Sequence, residues 1–306
     1  MLLLFYEGLE RADAAPQLPA NFGRSRHPRR ERLGAPIEPL DQRLSRLGIS
    51  PHPRVLLVLE GETEEYLTPA VFDALGIPHE PEWVRTVVMR SVDADLTKLA
   101  AFAAAPLLGE RQGNDWLLIK PPTRLMVAVD PEGGFETAEA AEAERQKILR
   151  EIRNVLAAQV GVPEARLGQV MVLEDLDELV SVHRWDGGCF EFAHFSDERL
   201  AEALLAIHRG HPQPGRDDLI QALQRHRQHR DDIKQVWANW RPKPSKRDLA
   251  HQLQSELEAQ VRRAFEGTTA SLPQLAQLVW DAYRIAKSQP AGLFLLKGRA
   301  AASAVK

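Results

Sequence analysis

At 306 residues, with 44% hydrophobic and 27% charged side chains, the chain has the make-up of an ordinary globular protein with room for one large domain or two small ones. Its one cysteine, Cys189, excludes an internal disulfide and a cysteine-based zinc site and suits a reducing, cytoplasmic compartment. The formal charge of −4 hides two parts of opposite sign: residues 201–306 carry 17 Lys and Arg against 10 Asp and Glu, and residues 1–200 carry 22 against 33. An acidic body with a basic C-terminal third suits an enzyme that uses a metal and holds a polyanion. A well-solvated helical region would give the same count. No run approaches the length of a transmembrane helix, and the opening MLLLFYEGLERADA lacks the basic start of a signal peptide.

Residues 1–52 are the least foldable part. Pro16, Pro19, Pro28, Pro36, Pro39 and Pro51 punctuate them, and residues 24–32 form a basic cluster. Such a segment serves as a solvated linker or as a nucleic-acid contact. Its strand-like opening, Leu2 to Tyr6, reads as the remnant of a longer protein.

Val55 to Leu59 is a short, β-branched apolar run of the kind that forms a buried parallel strand. It runs into Glu60-Gly61-Glu62-Thr63-Glu64-Glu65, after which Tyr66, Val71, Phe72 and Leu75 fall at helical spacing. A carboxylate at the carboxyl end of a parallel strand stands where open α/β sheets place their ligands. Glu60 and Glu64 are therefore expected to face one crevice, with Gly61 allowing a sharp turn between them. The competing explanation is that these acids merely favour the positive end of a helix.

Val84 to Met89 is the next expected strand, Ala94 to Ala105 a helix, and Leu117 to Ile119 a short strand. Leu125 to Val129 is a second buried run, ending in Asp130-Pro131-Glu132-Gly133-Gly134. An ordinary turn accounts for that composition, but not for the repeat of a strand ending in acids. Hard oxygen ligands at two strand tips suit Mg²⁺ or Mn²⁺. Thr137 to Val160 is the clearest helix, followed by a strand candidate at Gln169 to Leu173 and a solvated acidic loop at 174–178. Strands alternating with helices predict an α/β fold, with a parallel sheet covered on both faces and the strands ending at Leu59 and Val129 as neighbours.

In residues 187–195, Glu191 alternates with Phe190 and Phe192, which places it on the opposite face of an expected strand. A surface glutamate would show the same spacing. Helices are expected at Asp197 to Arg209, Asp217 to Trp240, Ser245 to Phe265 and Leu272 to Ser288. His226 and His229 stand among arginines that repel a cation, so a solvated basic face explains them. Ser245 is placed to cap the helix that Lys246 opens.

An apolar strand followed by Glu-Gly-x-x-Glu, then a later strand ending in Asp-x-Glu-Gly, resembles the Toprim domain of topoisomerases, primases and several nucleases. The wording EGETEEYLTPAVFDALG, with VRTVVMRSVDADLTKLAAF after it, is most similar to the C-terminal nuclease half of OLD-family (overcoming lysogenization defect) endonucleases. The resemblance implies a Toprim, Rossmann-like central parallel sheet with helices on both faces over residues 53–210. A basic helical region at 211–306 follows it, and the segment 1–52 precedes it.

The resemblance further implies a metal-dependent nuclease that hydrolyses nucleic acid, DNA rather than RNA, by a two-metal mechanism. Glu60, Glu64, Asp130 and Glu132 would hold Mg²⁺ or Mn²⁺. Glu191 is similar to a third acidic position that supports the second ion, and Lys246 to a lysine presented to the scissile phosphate. An ordinary solvent lysine at a helix start remains the alternative for Lys246. OLD proteins usually carry an ATPase domain ahead of the Toprim, and this chain has no P-loop signature. An ATPase partner or a homo-oligomer is therefore implied. With Tyr6, Tyr66 and Tyr283 as the tyrosines, no context for a topoisomerase nucleophile is visible. Two other classes stay open: a non-catalytic Toprim-fold binding subunit working with an ATPase, and a small-molecule phosphohydrolase.

Overall fold

Val55–Leu59 is buried along its whole length, as an apolar run without alternation must be when a strand is covered on both faces. The computed structural model describes residues 53–79, 83–89, 96–100, 103, 109–112, 115–118, 123–132, 135–160, 163–169, 174–212, 214–267, 271–288 and 294–296. The expectations for 1–52, for Gly133 and Gly134, and for most of the strand at Gln169 to Leu173 lie outside these residues. In chain order the strands are β1 (Val55–Leu59), β2 (Val84–Val88), β3 (Gly109–Gln112), β4 (Asp115–Leu118), β5 (Arg124–Val129), β6 (Val180–Arg184) and β7 (Phe294–Leu296). The α-helices are α1 (Glu62–Ala74), α2 (Ala138–Val160), α3 (Glu174–Asp177), α4 (Phe190–His194), α5 (Asp197–Ile207), α6 (Arg216–His229), α7 (Lys246–Phe265) and α8 (Gln274–Ser288).

Four strands form one parallel sheet in the order β2-β1-β5-β6, so the strands ending at Leu59 and Val129 are neighbours. The period-2 alternation of each strand sorts its side chains into two layers. Val55, Leu57 and Leu59 join Met126 and Ala128 against α1 and α4 to α8. Leu56 and Val58 join Leu125, Val127 and Val129 against α2, α3 and the 3-10 turns at Leu96–Leu99 and Glu164–Gln169. This is the expected α/β architecture of a central parallel sheet with helices on both faces. The C-terminal helices belong to the first layer: Leu249, Leu253, Leu257, Val261, Leu275 and Val279 are in the same buried cluster as β1. A separate antiparallel sheet, β3-β4-β7, takes up the segment at Leu117–Leu118. Among the described residues no helix is long and apolar enough to cross a membrane.

Several elements depart from the periodicity. The stretch expected as a strand around Glu191 is the five-residue helix α4. Gly187 and Gly188, at φ +90° and +102°, reverse the chain after β6 as only glycine does readily. A Cβ on Gly188 would fall 2.8 Å from the Cα of Arg230. The helix expected to run from Asp217 to Trp240 stops at His229, because Arg230 takes a left-handed conformation (φ 58°) and the Asp231 N–H bonds back to the His226 carbonyl. Asp231 Oδ2 also lies 2.9 Å from His226 Nδ1. Asp232 then caps a short 3-10 turn at Ile233–Gln235, its Oδ1 accepting from Lys234 N at 2.7 Å. The acidic segment at 174–178 is partly helical, and Asp177 accepts from Arg153 Nη2 at 2.5 Å.

Two side chains fasten α4 into the helical layer. Arg227 Nη2 donates to the Phe195 carbonyl at 2.7 Å, Nη1 donates to the Phe192 carbonyl, and Nε donates to Asp197 Oδ1 at 3.0 Å. It is thus half-buried and engaged, unlike the solvated basic face expected there. His194 is buried between Phe190 O, 2.8 Å from its Nδ1, and the N–H of Leu275, which donates to its Nε2 at 2.9 Å. Burial holds its pKa down to about 4, so the ring is neutral and ties α4 to α8. The unfolded chain takes up this proton near 6.5 and the folded one only near 4. Stability contributed at neutral pH is therefore lost as the pH falls through that window. His194→Ala should cost roughly 2–4 kcal/mol, by leaving a cavity and an unpaired Leu275 N–H. It should also flatten the acid limb of stability in urea melts across that range.

Candidate metal centre at the strand ends

β1 and β5 pair in parallel with Val55 opposite Arg124 and Val58 opposite Val127. That register delivers Glu60 and Asp130 side by side at the carboxyl ends of the two strands. The Asp130 N–H donates to Glu60 Oε2 at 2.9 Å, and Asp130 Oδ1 accepts from the Phe190 N–H at 2.8 Å. The chain then turns, with Glu132 N donating to the Asp130 carbonyl at 2.8 Å. Glu60, Asp130 and Glu132 each offer a carboxylate oxygen, and these oxygens lie within 4.8 Å of one another. Glu60 and Asp130 are buried, and Glu132 is exposed at the mouth.

Glu64 and Glu191 stand behind this trio rather than in it. Glu64, in the first turn of α1, is buried and accepts from Trp185 Nε1 at 3.2 Å. Gly61 caps α1 in extended backbone that any residue adopts (φ −111°), so the sharp turn expected of it is not what demands glycine. Space demands it: a Cβ there would fall 2.4 Å from Glu64 Oε2. Glu191 is fully buried in α4, with Oε1 accepting from Thr63 Oγ1 at 2.5 Å. Its Oε2 is buried without a hydrogen-bond partner. Lys246, the first residue of α7, is buried too, although it opens a capped helix. Ser245 Oγ accepts from the Asp248 N–H at 3.0 Å, and Asp248 Oδ2 accepts from the Ser245 N–H at 3.3 Å. Lys246 Nζ lies 3.6 Å from Glu191 Oε1 and 3.4 Å from Asp232 Oδ2.

Thr63, Trp185 and Asp232 were not legible in the sequence as parts of this cluster. Thr63 sits between two glutamates and is a plausible helix residue on any reading. Trp185 and Asp232 arrive from distant elements. The one available signal for Asp232 was its place as a cap after a helix, which the apparent continuity of the helix to Trp240 obscured.

Crowding like charges out of water raises carboxyl pKa values. Burial, then Glu64 and Glu191, push Asp130 up to about 9. Burial, then Glu191, bring Glu64 to about 7. Burial also raises Glu60, against the opposing hydrogen bond from the Asp130 N–H. Burial alone would lower the Lys246 ammonium, yet Glu191, Asp232 and Asp130 hold it above the ordinary lysine value. Burial raises the Cys189 thiol, which disfavours the thiolate. The donor set is therefore all oxygen, strongly acidic and partly unsatisfied at Glu191. That chemistry fits a hard divalent cation and no soft metal.

No protein-family model matches the chain, and no curated protein matches it. Among solved structures it is similar to the C-terminal region of the Xanthomonas campestris pv. campestris OLD protein. That likeness is 17% identity and a TM-score of 0.39, over 77% of this chain and 97% of that one. It is also similar to the C-terminal region of the Burkholderia pseudomallei OLD protein, at 13% identity and a TM-score of 0.31, over 76% and 97%.

Two substitutions check the electrostatics and the fit. Between 3.8 and about 9 the folded chain keeps on Asp130 a proton that the unfolded chain has lost, so metal-free stability falls as the pH rises through that window. Asp130→Asn should remove this fall and raise the melting temperature on its alkaline side, by about 2–4 °C per kcal/mol recovered. Gly61→Ala should displace the Glu64 carboxylate and cost roughly 1–3 kcal/mol in denaturant melts.

Proposed function

We propose that the chain is a metal-dependent phosphodiesterase that hydrolyses nucleic acid, DNA rather than RNA, with Mg²⁺ or Mn²⁺ as its cofactor. The observation that carries this reading is the convergence of Glu60, Asp130 and Glu132 at the ends of two adjacent parallel strands. Open α/β sheets bind their ligands at such strand ends. These three acids would hold a first ion, and Glu64 and Glu191 would support a second. The buried, unpartnered Oε2 of Glu191 favours that role. When bound, the cation supplies charge to a phosphate oxygen and lowers the pKa of a water.

The chain's own groups do the rest. Asp130, which holds its proton up to about 9, would have to release it to serve as a ligand. Lys246, anchored by Glu191 and Asp232, keeps a fixed ammonium beside the acids and offsets charge that develops on the phosphate. The helical region at 211–306 supplies Lys246 and Asp232, and on this reading it holds the substrate against the Toprim-like part at 53–210. One observation favours a second reading, a non-catalytic binding subunit that works with an ATPase: the Lys246 ammonium already answers part of the acidic charge without a metal.

Plasmid nicking in Mg²⁺, Mn²⁺ and chelator separates the two. The phosphodiesterase reading expects metal-dependent nicking, reduced about 100-fold or more by alanine at Glu60, Asp130 or Glu132. It also expects Mn²⁺ to raise the melting temperature, and more so as the pH approaches the Asp130 value of about 9, because binding must displace that proton. Full activity in Asp130→Ala, or no thermal response to either ion, would overturn it.

A further inference from the structure

The segment from Arg230 to Arg247, which joins α6 to α7, carries six Lys and Arg against two Asp. Both acids are already engaged, Asp231 with His226 and Asp232 with Lys246. Lys246 itself is turned into the acidic crevice. The other five cations, Arg230, Lys234, Arg241, Lys243 and Arg247, are exposed, and none has a carboxylate partner among the described residues. Arg241 donates only to the carbonyls of Trp240 (2.7 Å) and Ala238 (3.5 Å), and Arg247 lies 5.8 Å over the ring of Tyr66. Elsewhere many of the cations stand beside an acid, as Arg145 does with Glu142, Arg216 with Glu202 and Arg263 with Glu256. Unpaired charge concentrated on one segment repels itself and attracts a ligand of opposite sign.

Both ends of the segment border the carboxylate cluster. Arg230 rests on Gly188, in the loop that leads into α4 with Glu191 and with the Phe190 N–H bound to Asp130. Its left-handed backbone is what turns the chain there. Arg247 follows Lys246 and meets Tyr66, one turn or less along α1 from Glu64. A polyanion lying along these side chains is thus brought to the rim of the acids, and the strip offsets the repulsion those acids exert on phosphate.

We propose that Arg230, Lys234, Arg241, Lys243 and Arg247 form the surface that grips the phosphate backbone of nucleic acid and feeds it to the carboxylate cluster. This rests on the phosphodiesterase reading for its choice of partner, and narrows the basic C-terminal third to one segment of it. The test is binding of a fluorescein-labelled DNA duplex to the full chain in chelator, followed by anisotropy between about 50 and 200 mM salt. Alanine at all five positions should lower affinity about 100-fold and reduce the slope of log K against log salt by about 0.9 for each phosphate that is no longer neutralised. Alanine at Arg209, Arg225 and Lys287, which are exposed cations of the same third of the chain, should leave both nearly unchanged.

A five-alanine variant that binds with the wild-type slope overturns the proposal. So does a control variant that loses as much, or a wild type that binds anionic phospholipid vesicles in preference to the duplex. Thermal melts and Mn²⁺-induced stabilisation of the five-alanine variant should match wild type, which separates loss of grip from loss of fold. If the strip governs binding but no metal-dependent nicking is found, the surface stands and the phosphodiesterase reading falls. If nicking is found but the strip does not govern binding, the reverse holds.

Discussion

Parallel pairing of β1 with β5 sets Glu60 beside Asp130, and neither acid is free to move away, because each follows directly on the buried end of a strand. An uncompensated buried carboxylate costs several kcal/mol, a large part of the 5–15 kcal/mol by which a domain is usually stable. The surrounding structure reads as a set of answers to that cost. Asp130 keeps a proton. Backbone N–H groups of Asp130 and Phe190, the Thr63 hydroxyl and the Trp185 indole each donate to one of the acids. Lys246 brings the one buried ammonium among the described residues.

The helical layer supplies most of these answers, so it is part of the site rather than a cover for it. Glu191 and the Phe190 N–H come from α4, a helix of five residues that could not hold its shape alone. Its position is fixed from outside by Arg227 on its terminal carbonyls, by His194 bonded to the start of α8, and by Gly188, whose missing side chain admits the close approach of Arg230. Loss of any one of these would let Glu191 drift from Thr63 and Lys246, with no change to an acid itself.

What the sequence made legible was local. The two apolar strands, the acids at their tips, the long helix α2 and the capped start of α7 all follow from short-range pattern and capping chemistry. Phe190-Glu191-Phe192 misled because a period of two mimics a strand. A single helical turn enclosed on every side shows no amphipathic stripe to contradict it. The end of α6 was hidden because an arginine is an unusual left-handed residue, held there by contacts with Gly188 that lie far off in sequence. Gly61 leaves room for Glu64, a contact that depends on where the Glu64 side chain lies and leaves no mark in the local pattern. Asp232, Thr63 and Trp185 leave no local mark either, since each acts through a partner on another element.

The opposite charges of the two parts of the chain also acquire a structural meaning. A divalent cation entering a crevice of bare carboxylates would meet strong attraction, but the folded protein would first have to survive their repulsion. A proton on Asp130 and an ammonium at Lys246 remove part of the negative charge of the metal-free crevice, and cation entry becomes in part an exchange of charge rather than an addition. The same lysine continues into a segment whose other cations face solvent unpaired. Acids that must be neutralised to fold, and cations that are left unneutralised at their edge, are complementary demands. A phosphate chain held at the rim and a metal ion held within would meet both at once.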